Sequence, residues 1–291
     1  MMLSRVANHV VASRRPVCSA GASAEAQESS ASVYRFCPPY DEGAMVAFYN
    51  VHGFVLVSGL IPPSDCAAAV DAMWRALAKG DKLTSPDDPS SWPRGVVAPQ
   101  LFDPEINALW NHEYLRIAEL LSDGYQIQAG TPGRDSAPLR PPMGPRGLMA
   151  INNFPVAPEG GDEAAAANAA WEMPGAGHLD HCIPSDGFLT FPRPVRISTM
   201  TYLTDCAGGD AEAHGGSTVV WPGSSRKFER LAATDPERFR MMIDLGNARE
   251  EAQVGVDGAE RPIEVRHRAG DVLFYDIFTS HTSLSSGQFR S

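Results

Sequence analysis

Hydrophobic positions along the chain follow two spacings, and the change from one to the other falls at about residue 147. In the first half, Val70, Met73, Trp74 and Leu77 recur three and four apart, which predicts a helix that Ser64 can cap and Gly80 ends. Ile106, Leu109, Trp110, Ile117 and Leu121 predict a second amphipathic helix over about residues 105–121. Ahead of both, the run Gly53-Phe54-Val55-Leu56-Val57, bounded by Gly59 and Pro62-Pro63, reads as a strand. In the second half strand-like runs dominate: Leu148–Phe154, Val195–Leu203, Ser217–Trp221, Ile263–Arg268 and Val272–Phe278, with one helical insertion between Arg226 and Met242. The succession predicts a mostly β fold with flanking helices, its second half an antiparallel barrel or jelly roll.

Composition narrows the partners. A chain of 291 residues with 43% hydrophobic and 20% charged residues can bury one sizeable core. One catalytic domain over residues 34–291 is the expectation, after a Ser/Ala/Glu-rich segment over 1–33. The net charge of −11 argues against a surface built to grip nucleic-acid phosphates or anionic lipid, and favours a small-molecule substrate. No apolar run reaches the roughly 18 to 20 residues that span a bilayer. Cys18, Cys37, Cys66, Cys182 and Cys206 are odd in number and form no CxxC pair, so reduced thiols are expected rather than a disulfide framework or zinc ribbon.

Two local charge patterns stand out against this background. Arg5, Arg14 and Arg15 lie among Ser and Ala, with no acid before Glu25, a bias like that of a mitochondrial presequence. The alternative is a disordered tail on a cytoplasmic protein. Residues 130–147 are rich in Pro and Gly and carry Arg134, Arg140 and Arg146, which reads as a solvated loop or as a lid that meets an anionic substrate.

The candidate chemistry centres on Gly177-His178-Leu179-Asp180-His181. In a strand, residues two apart face the same side, so His178 and Asp180 can address one metal while His181 faces away. A histidine on a neighbouring strand would complete a facial triad, two imidazoles and a carboxylate on one side of an ion. His281 is the best third ligand, because it follows the strongly patterned run Gly270-Asp271-Val272-Leu273-Phe274-Tyr275-Asp276. His214, in a Gly-rich turn, is expected to be exposed, and Cys182 to pack.

Five segments occur in a set order: His178-Leu179-Asp180, TYLTD at 201–205, GGSTVVWPGSS at 215–225, AGDVLFYD at 269–276, and His281-Thr282-Ser283 followed by Arg290. Together with the opening FYNVHGFVLVSGLIPPSDC, they resemble the phytanoyl-CoA dioxygenase family of iron(II)- and 2-oxoglutarate-dependent oxygenases, from about residue 45 to the end. The resemblance implies a double-stranded β-helix, a jelly-roll or cupin-like barrel. It also implies that His178, Asp180 and His281 hold Fe(II) and that Arg290 pairs with the distal carboxylate of 2-oxoglutarate, Ser283 supporting it. The interval from His281 to Arg290 is shorter than the family's, and Ser285 or Ser286 stands where the family has Asn. The family's last core strand would begin where the sequence stops at Ser291, so the chain is expected either to be truncated there or to close its barrel with another segment.

The activity implied is hydroxylation of a small-molecule or acyl-type substrate, O2 and 2-oxoglutarate being consumed and succinate and CO2 released. Asp180 supplies a carboxylate where related halogenases have a small residue, which disfavours chloride binding. Two other classes remain open on the same barrel: a cupin-type metal-dependent hydrolase or isomerase, and a non-catalytic binding module.

Overall fold

The computed structural model describes residues 7–10, 33–79, 84–88, 91–92, 95–97, 100–122, 148–154, 177–180, 189–191, 197–206, 217–255 and 261–283. The loop over 130–147 with its three arginines, His181, Cys182, His214, Ser285, Ser286 and Arg290 lie outside the described residues.

Strands β2 (Arg35–Phe36), β3 (Phe54–Val57), β7 (Ile197–Thr201) and β10 (Val272–Asp276) make one sheet in the order β2-β3-β10-β7. β10 runs antiparallel to both β3 and β7, and β2 parallel to β3. A second sheet, antiparallel throughout, has the order β11-β8-β9, from Thr218–Val220 (β8), Ile263–Val265 (β9) and His281–Ser283 (β11). A third is centred on β6 (Leu148–Phe154), which pairs in parallel with β1 (Ala7–Val10) and antiparallel with β4 (Gly95–Val97) and β5 (Gln100–Leu101).

Strand alternation assigns the layers. Val55 and Val57 of β3, with Val272 and Phe274 of β10, pack against a helical layer. It is made of α1 (Glu42–His52), α2 (Pro63–Ala78), α3 (Pro104–Ala108) and α4 (His112–Leu121). The intervening Phe54, Leu56, Leu273 and Tyr275 turn the other way and meet Val220 and Val265 of the second sheet. On that sheet's outer side, Val219 joins Trp221 and a cluster from α5 (Ser224–Thr234) and α6 (Met242–Asn247). β3 and β10 are therefore covered on both faces, which is why β3, and β10 up to Asp276, read as near-continuous apolar runs. The mostly β expectation is met in part: two sheets stand face to face, but helices hold more of the described residues than strands do.

Several local expectations change. Asp41 caps a helix, α1, that the apolar pattern did not predict, accepting from the Ala44 N–H at 3.0 Å. Gly53 is not a strand residue but ends that helix, at φ 81° in the left-handed region. Ser64 does not cap α2. The helix starts at Pro63, where a missing N–H costs nothing, and the Ser64 hydroxyl donates to Asp65 instead. The helix expected over 105–121 is broken in two by Asn111, whose side chain accepts from Tyr114 N at 2.9 Å and donates to Leu60 O at 2.9 Å. Among the described residues, no helix is long and apolar enough to cross a membrane.

Candidate metal centre

The turn that leads from β10 into β11 is fixed at almost every residue. The Gly53 carbonyl accepts from Asp276 N at 2.7 Å and from the Thr279 hydroxyl at 2.8 Å. The Asp276 side chain accepts from Phe278 N at 2.9 Å, and its carbonyl from Thr279 N at 2.7 Å. Ser224, fully buried at the start of α5, accepts from Ser280 N at 2.9 Å and donates to Trp221 O at 2.6 Å. Trp221 N donates back to Ser280 O at 3.0 Å. Gly53 has no room for a side chain, since a Cβ there would strike the hydroxyls of Ser225 and Thr279. His281 thus emerges from a rigid seat.

His178 reaches the same place from the other side. It forms a single antiparallel bridge with His281, its N–H donating to His281 O at 2.9 Å and its carbonyl accepting from His281 N at 3.1 Å. The segment is therefore a bridge and not the strand expected. Alternation nevertheless holds locally: Leu179 is buried in the α5/α6 cluster, and the side chains of His178 and Asp180 join His281. Gly177 permits the approach, because a Cβ there would lie 2.6 Å from Ser280 Oγ and from Trp221 Cζ3 and 2.9 Å from His281 O.

One ligand atom from each of His178, Asp180 and His281 lies within 4.8 Å of the other two. Asp180 Oδ1 is 3.3 Å from His281 Nε2, and the two imidazole centroids are 4.6 Å apart. The other carboxylate oxygen, Oδ2, accepts a 2.7 Å hydrogen bond from the Tyr275 hydroxyl. His281 is 2% exposed and Asp180 32%, while His178 is exposed, so the cluster grades from interior to surface.

Electrostatics within the cluster are strong. Burial alone would raise the Asp180 carboxyl. The His281 charge, the hydrogen bonds from His281 and Tyr275, and the His178 charge together outweigh it and hold the group well below the usual carboxylate range. Burial works to lower His281, but the Asp180 charge and hydrogen bond, with the Thr279 carbonyl, hold it above the ordinary imidazole range. Burial and then the Asp180 charge push the Tyr275 hydroxyl well up, which keeps it a donor.

The donor set suits a divalent transition-metal ion. Two donors at about 2.1 Å from one ion and at right angles lie about 3 Å apart, close to the Asp180 to His281 separation. The His281 ring has Nδ1 3.0 Å from the Thr279 carbonyl, which assigns the proton of the neutral imidazole to Nδ1 and leaves Nε2 as a lone-pair donor beside Asp180. A cation among these groups would balance the carboxylate charge.

Of the residues expected to serve the site, the structure brings His178, Asp180 and His281 together. Ser283 stands two places along β11 from His281, opposite Thr218. Tyr275, Thr279, Ser224 and Gly53 had no assigned role in the sequence. The one signal that could have exposed Tyr275 is its polar hydroxyl inside an otherwise apolar run, since a buried phenol needs a partner.

No family model matches the chain, and no curated protein matches it. Among solved structures it is similar to SnoN, a non-heme α-ketoglutarate-dependent epimerase from nogalamycin biosynthesis, at 14% identity, over 86% of this chain and 78% of that one, with a TM-score of 0.40. SnoN in complex with Fe3+, α-ketoglutarate and nogalamycin RO matches at 13% identity, over 86% and 79%, with a TM-score of 0.42. The non-heme α-ketoglutarate-dependent carbocyclase SnoK matches at 16% identity, over 84% and 77%, with a TM-score of 0.37. AviO1 from Streptomyces viridochromogenes Tue57 matches at 15% identity, over 86% and 90%, with a TM-score of 0.41.

Proposed function

We propose that this chain is an iron(II)- and 2-oxoglutarate-dependent oxygenase of the phytanoyl-CoA dioxygenase type, hydroxylating a small-molecule or acyl-type substrate with release of succinate and CO2. The observation that carries this reading is the convergence of His178, Asp180 and His281, with donor atoms within 4.8 Å of one another at a site open on one side. Two imidazoles and one carboxylate leave part of an ion's coordination sphere vacant, the donor set of non-haem iron oxygenases. On this reading the facing sheets belong to a double-stranded β-helix.

His178, Asp180 and His281 would hold Fe(II), which when bound supplies the redox chemistry with O2 and 2-oxoglutarate. The chain's own residues position it. The Thr279 carbonyl orients His281 through Nδ1, and the Gly53 and Ser224 hydrogen bonds hold the turn that carries it. Tyr275, which donates to Asp180, belongs to the buried cluster between the sheets with Leu273 and Met200, and that interior would keep water from the inner side of the centre. Arg290 and Ser283 are proposed to bind 2-oxoglutarate.

The experiment is succinate release from 2-oxoglutarate under oxygen in the presence of Fe(II), across a library of candidate substrates. His178→Ala and Asp180→Ala serve as blanks. Substrate-stimulated succinate that both substitutions abolish supports the reading. Tight retention of zinc with hydrolysis and no succinate would replace it with a cupin-type hydrolase.

A further inference from the structure

The two oxygens of the Asp180 carboxylate have different surroundings. Oδ1 faces His281 Nε2 at 3.3 Å. Oδ2 is taken by the Tyr275 hydroxyl at 2.7 Å. Tyr275 is itself held from several directions. Its ring is fully buried between the sheets and lies 4.7 Å from the His281 ring, centroid to centroid. Its backbone is paired directly opposite Ser198 on β7, and the Ser198 side chain hydrogen-bonds its hydroxyl. A phenol fixed in this way has no slack with which to follow a rotating carboxylate.

We propose that Tyr275 is a positioning residue that fixes Asp180 as a one-oxygen ligand, offering Oδ1 to the ion and tying Oδ2 to β10, with Ser198 anchoring the phenol from β7. The inference rests on the metal-centre reading above and deepens it. A free carboxylate at a metal can swing to bind through both oxygens and fill a second coordination position. Held by Tyr275, Asp180 fills one, and the positions that a bidentate oxo-acid and a third small ligand require stay open. Tyr275 touches neither substrate nor ion on this account and acts only through Asp180.

The test uses Co(II), whose visible absorption reports coordination number, titrated into metal-free full-length chain. Wild type, Tyr275→Phe, Ser198→Ala and His281→Ala are compared, with thermal melts run on each. Tyr275→Phe keeps the buried ring and is expected to bind Co(II) about tenfold more weakly, as loss of a group that orients a ligand does. Its visible bands should also shift toward higher coordination. Ser198→Ala should move both readouts the same way by less. Wild-type affinity and bands in Tyr275→Phe would overturn the inference while leaving the metal centre standing, and if that variant fails to fold, wild-type behaviour in Ser198→Ala does the same. A merely structural role would lower the melting temperature and leave the bands unmoved, which also overturns it. Equal binding by wild type and His281→Ala would instead remove the metal-centre reading, and this inference with it.

Discussion

His178 and His281, far apart in the sequence, exchange a pair of backbone hydrogen bonds of 2.9 and 3.1 Å. The two candidate imidazole ligands are therefore registered by main chain. Gly177 makes that contact possible, and Gly177→Ala would force its Cβ against Ser280, Trp221 and the His281 carbonyl. We expect this substitution to cost about 1–3 kcal/mol of stability, the range for overpacking a tight site. Metal affinity should also fall at least tenfold, with chemical denaturation and metal titration as the measurements. An alanine variant matching wild type in both would show that the segment can move aside.

Ser224→Ala tests the other half of the seat. Its hydroxyl is buried, bonded to Ser280 N and Trp221 O, and truncation leaves Ser280 N without its acceptor while Trp221 O keeps the Ser224 N–H at 3.2 Å. A loss of about 1–3 kcal/mol is expected from the unsatisfied Ser280 N–H. Because Ser280 precedes His281, weaker metal binding should accompany it. Threonine at this position should recover part of each effect.

Asp271 shows how a residue inside a functional-looking motif can be structural. Its carboxylate is buried and accepts from Arg35 at 2.7 Å, from Gly59 N at 3.0 Å and from Arg268 N at 2.9 Å, tying β2 and the turns on either side to the start of β10. Asp271→Ala leaves two backbone donors without their acceptor and takes the ion-pair partner from Arg35, whose guanidinium is 24% exposed and keeps its bonds to the Ser58 hydroxyl at 2.5 Å and the Arg266 carbonyl at 2.6 Å. We expect a loss of about 3 kcal/mol, at the low end for breaking a buried pair because the arginine keeps some contact with water. Equilibrium unfolding measures it, and the candidate metal ligands should be unaffected in the surviving folded fraction.

His267 sets an acid limit. It is buried, stacked on Tyr202 with centroids 3.6 Å apart and planes 11° from parallel, and its Nδ1 lies 3.3 Å from the Val265 carbonyl. Burial pushes it down to about 4, against smaller opposing effects from the Val265 carbonyl, Asp271 and Asp205, with Arg35 adding to the depression. Between about 6.5 and 4 the unfolded chain takes up a proton that the folded chain resists, so this group's contribution is complete above about 6.5 and declines as the pH falls toward 4. A shift of this size corresponds to roughly 3 kcal/mol. His267→Phe, which keeps the stack, should lose less stability than wild type on acidification from pH 7 to pH 4. Parallel pH profiles for the two proteins would contradict it.

The strongest parts of the fold were legible because they rest on apolar spacing. β3, β10 and α2 all lie where the pattern put them, within a residue or two at their ends. The pattern missed α1, whose definition comes from an Asp41 cap and a left-handed Gly53 more than from a clean apolar stripe. It also merged α3 with α4, since a single buried face runs across both while Asn111 turns the backbone between them. In the site, His178, Asp180 and His281 could be singled out by residue type and by the order of the motifs around them. Their supports Ser224 and Gly53 could not, because they act through contacts with residues remote in sequence, which no local periodicity encodes, and Tyr275 showed only as a polar hydroxyl within an apolar run.

The graded exposure of the cluster, with His281 sealed in, Asp180 half open and His178 at the rim, governs how an ion would come and go. Traffic would run along one side, past the outer imidazole, while the inner ligand stays seated in its turn. A chelator small enough to reach that rim should strip the ion from the native protein, and a reloaded sample should regain full occupancy without any unfolding step.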